Sequence, residues 1–216
     1  VDVWQVDLER AAEEALWELL CAQESARAAE IVDAHRRALW GCSRGVLRLL
    51  LARYLDGDPR ALRFAYGAQG KPALRERAPR AYGEAAGTGA RVRLSGKTDL
   101  RFNLSHSGGL LLVVVTAGRE VGVDVERARP RHTAAFLRAW TVREAAVKCL
   151  GAGLGAPPPS DPAPGAGMRE GTEAGTDANA GADMWTAELD LGPRAFAAVA
   201  LAGRQGCELR RRDWPE

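Results

Sequence analysis

The sequence predicts an α+β fold of two related halves, and three observations predict it. Segments 36–55 and 134–150 carry apolar residues at helical spacing. Short alternating or continuous apolar runs follow each of them and read as strands. The order of helix followed by strands recurs in the two parts of the chain, without a clean sequence repeat. Each half then reads as a small antiparallel sheet packed on a helix, 1–112 and 113–216, with a cleft where the two meet.

Each element has its own local reason. Val1 to Leu8 alternates like a strand, and Glu9 to about Ala34 is rich in Ala, Glu, Leu and Arg, which suits one or two helices. Arg36 to Leu55 places Leu47, Leu50, Leu51 and Tyr54 on one helical face, and Asp56-Gly-Asp-Pro59 stops it. Leu62 to Tyr66 alternates, and Gly67 to Pro72 turns. Ala78 to Gly89 reads as a mobile loop. Leu100 to Leu104 and Leu110 to Thr116 are strands around the Ser107-Gly-Gly109 turn, and Val121 to Glu126 is the next. Ala134 to Leu150 is a helix. Residues 155–183 are crowded with Gly, Pro, Ala and small polar residues, and read as a flexible insert that buries too little apolar surface to order itself. Trp185 to Leu191 and Arg194 to Leu201 form a hairpin around Gly192-Pro193, and Gly206 to Trp214 adds a last strand.

Bulk properties narrow the function classes. A chain of 216 residues with a formal charge of +2 has no global call for nucleic acid. Four scattered cysteines without a CxxC pair fit reduced thiols better than a disulfide framework or a zinc site. The N-terminus has no signal-peptide pattern, and Leu110 to Val115 is too short to span a bilayer, so a cytoplasmic protein that does not enter membranes is expected.

The chemistry concentrates in three motifs. In Val121-Gly-Val-Asp-Val-Glu126, a strand sends Asp124 and Glu126 to one face and the valines to the other. In Trp140-Thr-Val-Arg-Glu-Ala-Ala-Val-Lys148, i, i+4 spacing puts Glu144 beside Lys148. Three hard oxygen ligands next to a lysine suit Mg²⁺ and a phosphate-bearing substrate. The plainer readings are a solvated strand face and a surface ion pair. In Phe102-Asn-Leu-Ser-His-Ser107, Ser105 and His106 end a strand beside a glycine turn, where a hydroxyl and an imidazole can donate to phosphate. They are neighbours on a strand, point to opposite faces and lack a GxSxG elbow, so a Ser-His nucleophile pair is excluded. In Gly70-Lys-Pro72, a stiff turn holds Lys71 as a point charge for phosphate. Gly96-Lys-Thr98 is no P-loop, because Arg91 stands where the first glycine belongs and a strand follows.

Taken together and in this order, the motifs resemble the 4′-phosphopantetheinyl transferases, specifically the surfactin-synthetase-activating type, a pseudo-dimer within one chain. The resemblance runs through Glu24-Ser-Ala-Arg27, Arg44-Gly-Val-Leu-Arg48, Gly70-Lys-Pro72, Phe102 to His106, Val121 to Glu126, Trp140 to Lys148 and Gly151-Ala-Gly-Leu154. It implies a pseudo-twofold arrangement of the halves, and transfer of the phosphopantetheine arm of coenzyme A to a serine of an acyl or peptidyl carrier protein, with release of 3′,5′-ADP. Asp124, Glu126 and Glu144 are then the Mg²⁺ ligands, and Glu144 and Lys148 the catalytic pair. Gly70, Lys71, Pro72, Ser105, His106 and Lys148 bind coenzyme A, with Arg27, Arg36 or Arg44 on its 3′-phosphate. The implied carriers belong to polyketide, nonribosomal peptide or fatty-acid synthases, and a monomer is implied. The connection from Arg127 to Ala139 is shorter than is usual in that family, with Arg129-Pro-Arg131 as its turn and Ala134, Phe136, Leu137 and Trp140 packing the helix onto the sheet. Two rivals are a noncatalytic binder of coenzyme A or carrier, and a Mg²⁺-dependent hydrolase of a coenzyme A-like diphosphate.

Overall fold

A computed structural model describes residues 1–11, 14–67, 70–75, 99–151 and 183–215. The loop expected at 78–89 and almost all of the insert expected at 155–183 lie outside the described residues.

The chain is α+β. Its strands and helices run β1 (Asp2–Asp7), α1 (Glu14–Trp17), α2 (Ala22–Ala29), α3 (Ala34–Leu55), β2 (Phe64–Tyr66), β3 (Pro72–Leu74), β4 (Leu100–Ser107), β5 (Leu110–Ala117), β6 (Val121–Arg127), α4 (Ala134–Leu150), β7 (Met184–Asp190), β8 (Ala195–Ala202) and β9 (Arg210–Trp214). A first sheet has the order β4-β5-β1-β9 and a second has β6-β8-β7; β2 and β3 form a separate hairpin.

The alternation of side chains explains how these stack. Trp4, Val6 and Leu8, with Leu111, Val113 and Val115, pack on Leu47, Leu50 and Leu51 of α3. The opposite face of the first sheet supplies Val3, Leu112 and Val114. These meet Val121, Val123, Val125, Val199 and Leu201 of the second sheet. The far face of the second sheet shows Ala198 and Ala200 to Ala145, Ala146 and Cys149 of α4. The order is thus helix, sheet, sheet, helix. The continuous apolar run of β5 follows from this, since both of its faces are covered.

Two connections differ from the sequence reading. β5 passes through residues 112 and 113, so the division expected there falls inside a strand. β9 leaves the second sheet altogether and pairs in parallel with β1. Tyr54 of α3 donates to Asp2 Oδ2 at 2.6 Å and accepts from Trp4 Nε1 at 2.7 Å, and Arg212 of β9 lies 3.3 Å from Asp2 Oδ1.

The turn from β6 into α4 is direct, as the short connection requires. His132 N donates to Arg129 O at 3.0 Å, and Thr133 caps the helix by accepting from Phe136 N. Leu137 packs inward, but Phe136 does not: it is 47% exposed and stacks with Trp140 at 5.9 Å and with His132 at 5.1 Å. The 3.6-residue period places 136 and 140 on the flank of α4, one step from the face that carries 137, 141, 144 and 145.

Candidate active site at the junction of the two sheets

Gly122 decides where α4 lies. A Cβ at this position would come within 2.0 Å of Ala145 O and 2.4 Å of Cys149 N, so the helix rests on the bare backbone of β6. That close approach sets Glu144 and Lys148, one helical turn apart, beside Asp124.

Asp124 is 5% exposed and Glu144 is 8% exposed. Lys148 Nζ donates to Asp124 Oδ1 at 2.6 Å and to Ser105 Oγ at 2.9 Å. Ser105 in turn donates to the same Asp124 oxygen at 2.9 Å. Asp124 Oδ2 and Glu144 Oε1 are buried and accept no hydrogen bond among the described residues. Burial, and after it the charge of Asp124, pushes the Glu144 carboxyl above the usual carboxylate range, against the pull of Lys148 and Arg143. Glu126 Oε2 accepts from Ser107 Oγ at 3.0 Å, and the Glu126 charge also acts on Glu144.

The three carboxylates therefore form no finished cage. Among the described residues no group of three or more His, Cys, Asp or Glu side chains gathers as an ion site. Lys148 already neutralises one oxygen of Asp124, and Ser107 holds Glu126. The donor set still fits Mg²⁺. Two hard, bare oxygens are buried where a cation would relieve them, and Mg²⁺ commonly takes one or two carboxylates and completes its shell with water and substrate phosphates.

Basic groups gather within electrostatic reach of His106, the neighbour of Ser105. His106 is solvent-exposed, opposite in sense to buried Ser105. Partial burial of its ring, and next the charges of Arg44, Lys148 and Arg36, hold its imidazole below the ordinary value. Arg44 lies over the Trp40 ring at 4.9 Å, and its Nε and Nη1 are buried without hydrogen-bond partners among the described residues. Burial lowers its pKa, with Arg27 adding to that and Tyr66 and Glu24 opposing it. Arg27 Nη2 lies 3.9 Å from the point where a Cβ on Gly70 would sit, and Gly70 has φ +77°, which favours glycine there. The 67–71 turn is closed by Gly70 N on Gly67 O and Gly67 N on Lys71 O, and Pro72 opens β3.

Two expected phosphate ligands are engaged elsewhere. Lys71 Nζ lies 3.0 Å from Glu120 Oε2 and donates to Val121 O at 3.2 Å and Cys149 O at 3.5 Å, fastening the β2–β3 hairpin to β6 and α4. Ser105 gives its single proton to Asp124 and accepts from Lys148 and Val125 N. Sequence reasoning missed Asn103 and Ser107 as partners of β6; polar residues at 103, 105 and 107, alternating with Phe102 and Leu104, were the available trace. It also missed the buried pair of Glu24 and Arg48, 2.7 Å apart, which ties α2 to α3.

No protein-family model matches the chain. Curated relatives do. It is 28% identical over 183 residues to 4′-phosphopantetheinyl transferase HetI of Nostoc sp., covering 71% of this chain and 70% of that protein. It is 28% identical over 162 residues to a putative 4′-phosphopantetheinyl transferase of Synechocystis sp., covering 63% of this chain and 58% of that protein. It is 32% identical over 142 residues to 4′-phosphopantetheinyl transferase AcpT of Salmonella typhi, covering 54% of this chain and 60% of that protein. The chain thus spans roughly six- to seven-tenths of the length of these relatives. Each is named as a 4′-phosphopantetheinyl transferase, which supports that enzyme family without singling out the surfactin-synthetase-activating type.

Proposed function

We propose that this protein transfers the 4′-phosphopantetheine arm of coenzyme A to a serine hydroxyl of an acyl or peptidyl carrier protein, with Mg²⁺, releasing 3′,5′-ADP. The observation that carries the reading is the pairing of bare, buried oxygens on Asp124 and Glu144 with Lys148, and the charges of Arg36 and Arg44 within electrostatic reach of His106. A cation and a polyanion both have a complement there. The names of the relatives supply the reaction class.

In this reaction the serine oxygen forms a bond to the pantetheine-side phosphorus, the bridging P–O bond of the diphosphate breaks, and the serine proton must leave. Asp124, Glu126 and Glu144 would hold Mg²⁺, which would neutralise charge on the diphosphate. Lys148 orients Asp124 and presents an ammonium to the departing phosphate. Glu144, with its raised affinity for protons, accepts the serine proton. Arg44, with Arg27 and Arg36 near it, offers unpartnered guanidinium nitrogens to the 3′-phosphate. Lys71 acts by fixing the hairpin instead of touching phosphate.

The finer type follows the same reading. Two sheets, each backed by a helix, fit a single-chain, monomeric enzyme of the surfactin-synthetase-activating type with halves near 1–112 and 113–216, with β9 crossing from the C-terminal half to the first sheet. Among the described residues no helix is long and apolar enough to cross a membrane, and a cytoplasmic setting is part of this proposal. The carrier would approach over the exposed stretch 127–140, which has Arg127, Arg129, Arg131 and Arg138 and no acidic residue. Incubating the purified protein with coenzyme A, Mg²⁺ and an apo carrier, and weighing carrier and nucleotide by mass spectrometry, tests the whole reading. A modified carrier together with 3′,5′-ADP is expected; nucleotide release without carrier modification would mean hydrolysis.

A further inference from the structure

β6 is the edge of its sheet. It pairs with β8 on one side only, so on the other side its backbone amides need partners. Among the described residues no strand supplies them. Three side chains of β4 do. Val123 N donates to Asn103 Oδ1 at 3.0 Å, Val125 N to Ser105 Oγ at 3.4 Å and Arg127 N to Ser107 Oγ at 3.1 Å. The register advances by two residues on both strands, so this is a ladder built of side chains where two sheets abut.

Both serines have a second bond, and these carry the inference. While accepting from the amide, Ser105 donates to Asp124 and Ser107 donates to Glu126 at 3.0 Å. Each hydroxyl therefore reads the backbone position of β6 and sets the carboxylate of the preceding residue. Asn103, Ser105 and Ser107 are 3%, 7% and 5% exposed, so water competes little for these contacts.

We propose that Ser105 and Ser107 are positioning residues that lock Asp124 and Glu126 to the β4–β6 junction and so preset the carboxylates for the cation; this rests on the metal assignment made above. Ser107 is the cleaner probe, because Ser105 also accepts from Lys148.

The test reads Ser107→Ala, Ser107→Cys and Ser107→Thr without any carrier protein. Calorimetric titration of Mg²⁺ into the coenzyme A-loaded protein should show affinity roughly tenfold or more weaker in Ser107→Ala, the range found when a group that orients a metal ligand is removed. Ser107→Thr, which keeps the hydroxyl, should restore it. Amide exchange at Arg127 should speed up in Ser107→Ala and return in Ser107→Thr. Where Ser107→Ala does not fold, Ser107→Cys, close in size but a weak donor, should give the same loss. In a Glu126→Gln background, Ser107→Ala should weaken Mg²⁺ no further. A lower Tm with Mg²⁺ affinity within twofold of wild type would overturn the proposal, as would a full Ser107 effect persisting beside Glu126→Gln. Wild-type protein that binds no Mg²⁺ would overturn both this and the metal assignment. Mg²⁺ binding that depends on Ser107, with no carrier modified, would sink only the transferase reading.

Discussion

Lys148 Nζ lies 2.6 Å from Asp124 Oδ1, and the other oxygen of Asp124 has no hydrogen-bond partner among the described residues. One carboxylate thus faces two ways, toward a resident cation and toward a place for another. Asp124→Asn keeps the shape and removes the charge. Transfer should fall at least 100-fold, because only the anion can serve both neighbours. Stability should fall by about 1–3 kcal/mol, the usual scale for a hydrogen-bonded charged contact. Lys148 is 31% exposed in its side chain and can rehydrate, which keeps the cost from rising higher. Initial rates with coenzyme A and apo carrier, alongside urea unfolding, check this; a variant that retains more than a tenth of the wild-type rate would remove Asp124 from the mechanism.

Glu144 makes stability and activity pull apart with pH. Its folded-state pKa is raised, by burial first and by Asp124 second. The stability tied to the protonated form is fully present below the ordinary carboxylate value and is lost as pH rises through the folded value. Glu144→Gln, neutral throughout, should therefore have a higher Tm than the wild type at neutral pH, and the gap should close in acid. Transfer needs the anion and should decline as acid protonates Glu144, at a lower pH in the presence of Mg²⁺ than the metal-free protein titrates, because a bound cation favours the carboxylate. Differential scanning fluorimetry across pH and a pH–rate profile measure the two limbs. A Tm difference that grows toward low pH would contradict the raised value.

How much of this was legible in the sequence depends on the range of each contact. α3, α4 and the β7–β8 hairpin follow from periodicity and turn residues. The opposite faces of Asp124 and the three valines follow from strand alternation. What escaped involves partners far apart in the chain. Nothing near Trp214 says that β9 pairs with Val6. Nothing near Lys71 says that Glu120 and Cys149 O will hold its amine, and nothing near Phe136 says that it faces solvent and stacks on Trp140 instead of the core. Ser105 reads as a possible phosphate donor because a hydroxyl beside a glycine turn can donate; nothing near it in sequence says that Asp124 and Lys148 will hold it.

Lys71 provides a direct comparison of those two roles. If its amine fastens the hairpin, Lys71→Ala should lower stability by about 1–3 kcal/mol: exposed Glu120 can be hydrated, but the carbonyls of Val121 and Cys149 belong to buried residues and lose a donor. Its affinity for coenzyme A should change less than threefold. A phosphate contact would instead weaken binding by roughly 1.5–3 kcal/mol with little effect on stability. Calorimetry with coenzyme A and thermal unfolding of the same preparation separate the outcomes.

Arg44 should behave in the opposite way. Its Nε and Nη1 are buried and have no hydrogen-bond partner among the described residues, so an anion that reached them would meet donors already desolvated. Arg44→Gln should weaken coenzyme A by roughly 1.5–3 kcal/mol, about 10- to 150-fold, while binding of 3′-dephospho-coenzyme A changes little. Equal losses for both ligands would assign Arg44 to the diphosphate or to packing on Trp40.

Cys149 tests the packing of α4 on β6. Its thiol is 2% exposed, donates to Glu120 O at 3.2 Å, and has its pKa pushed up to about 11, by burial above all, against the pull of Lys71. A thiol reacts as the thiolate, so at pH 7.5 only a small fraction is available and the sulfur is covered as well. Iodoacetamide should leave Cys149 unmodified in the folded protein over hours, while half-buried Cys21 is alkylated first. Adding an alanine Cβ at Gly122 should reverse this protection, because it would meet Ala145 O and Cys149 N at distances no packed helix tolerates. Peptide mapping of alkylated protein should then show Cys149 labelling rise in Gly122→Ala together with loss of transfer. The helix displaced from β6 would take Glu144 and Lys148 away from Asp124. Retained activity with Cys149 still protected would mean that α4 is placed by contacts other than Gly122.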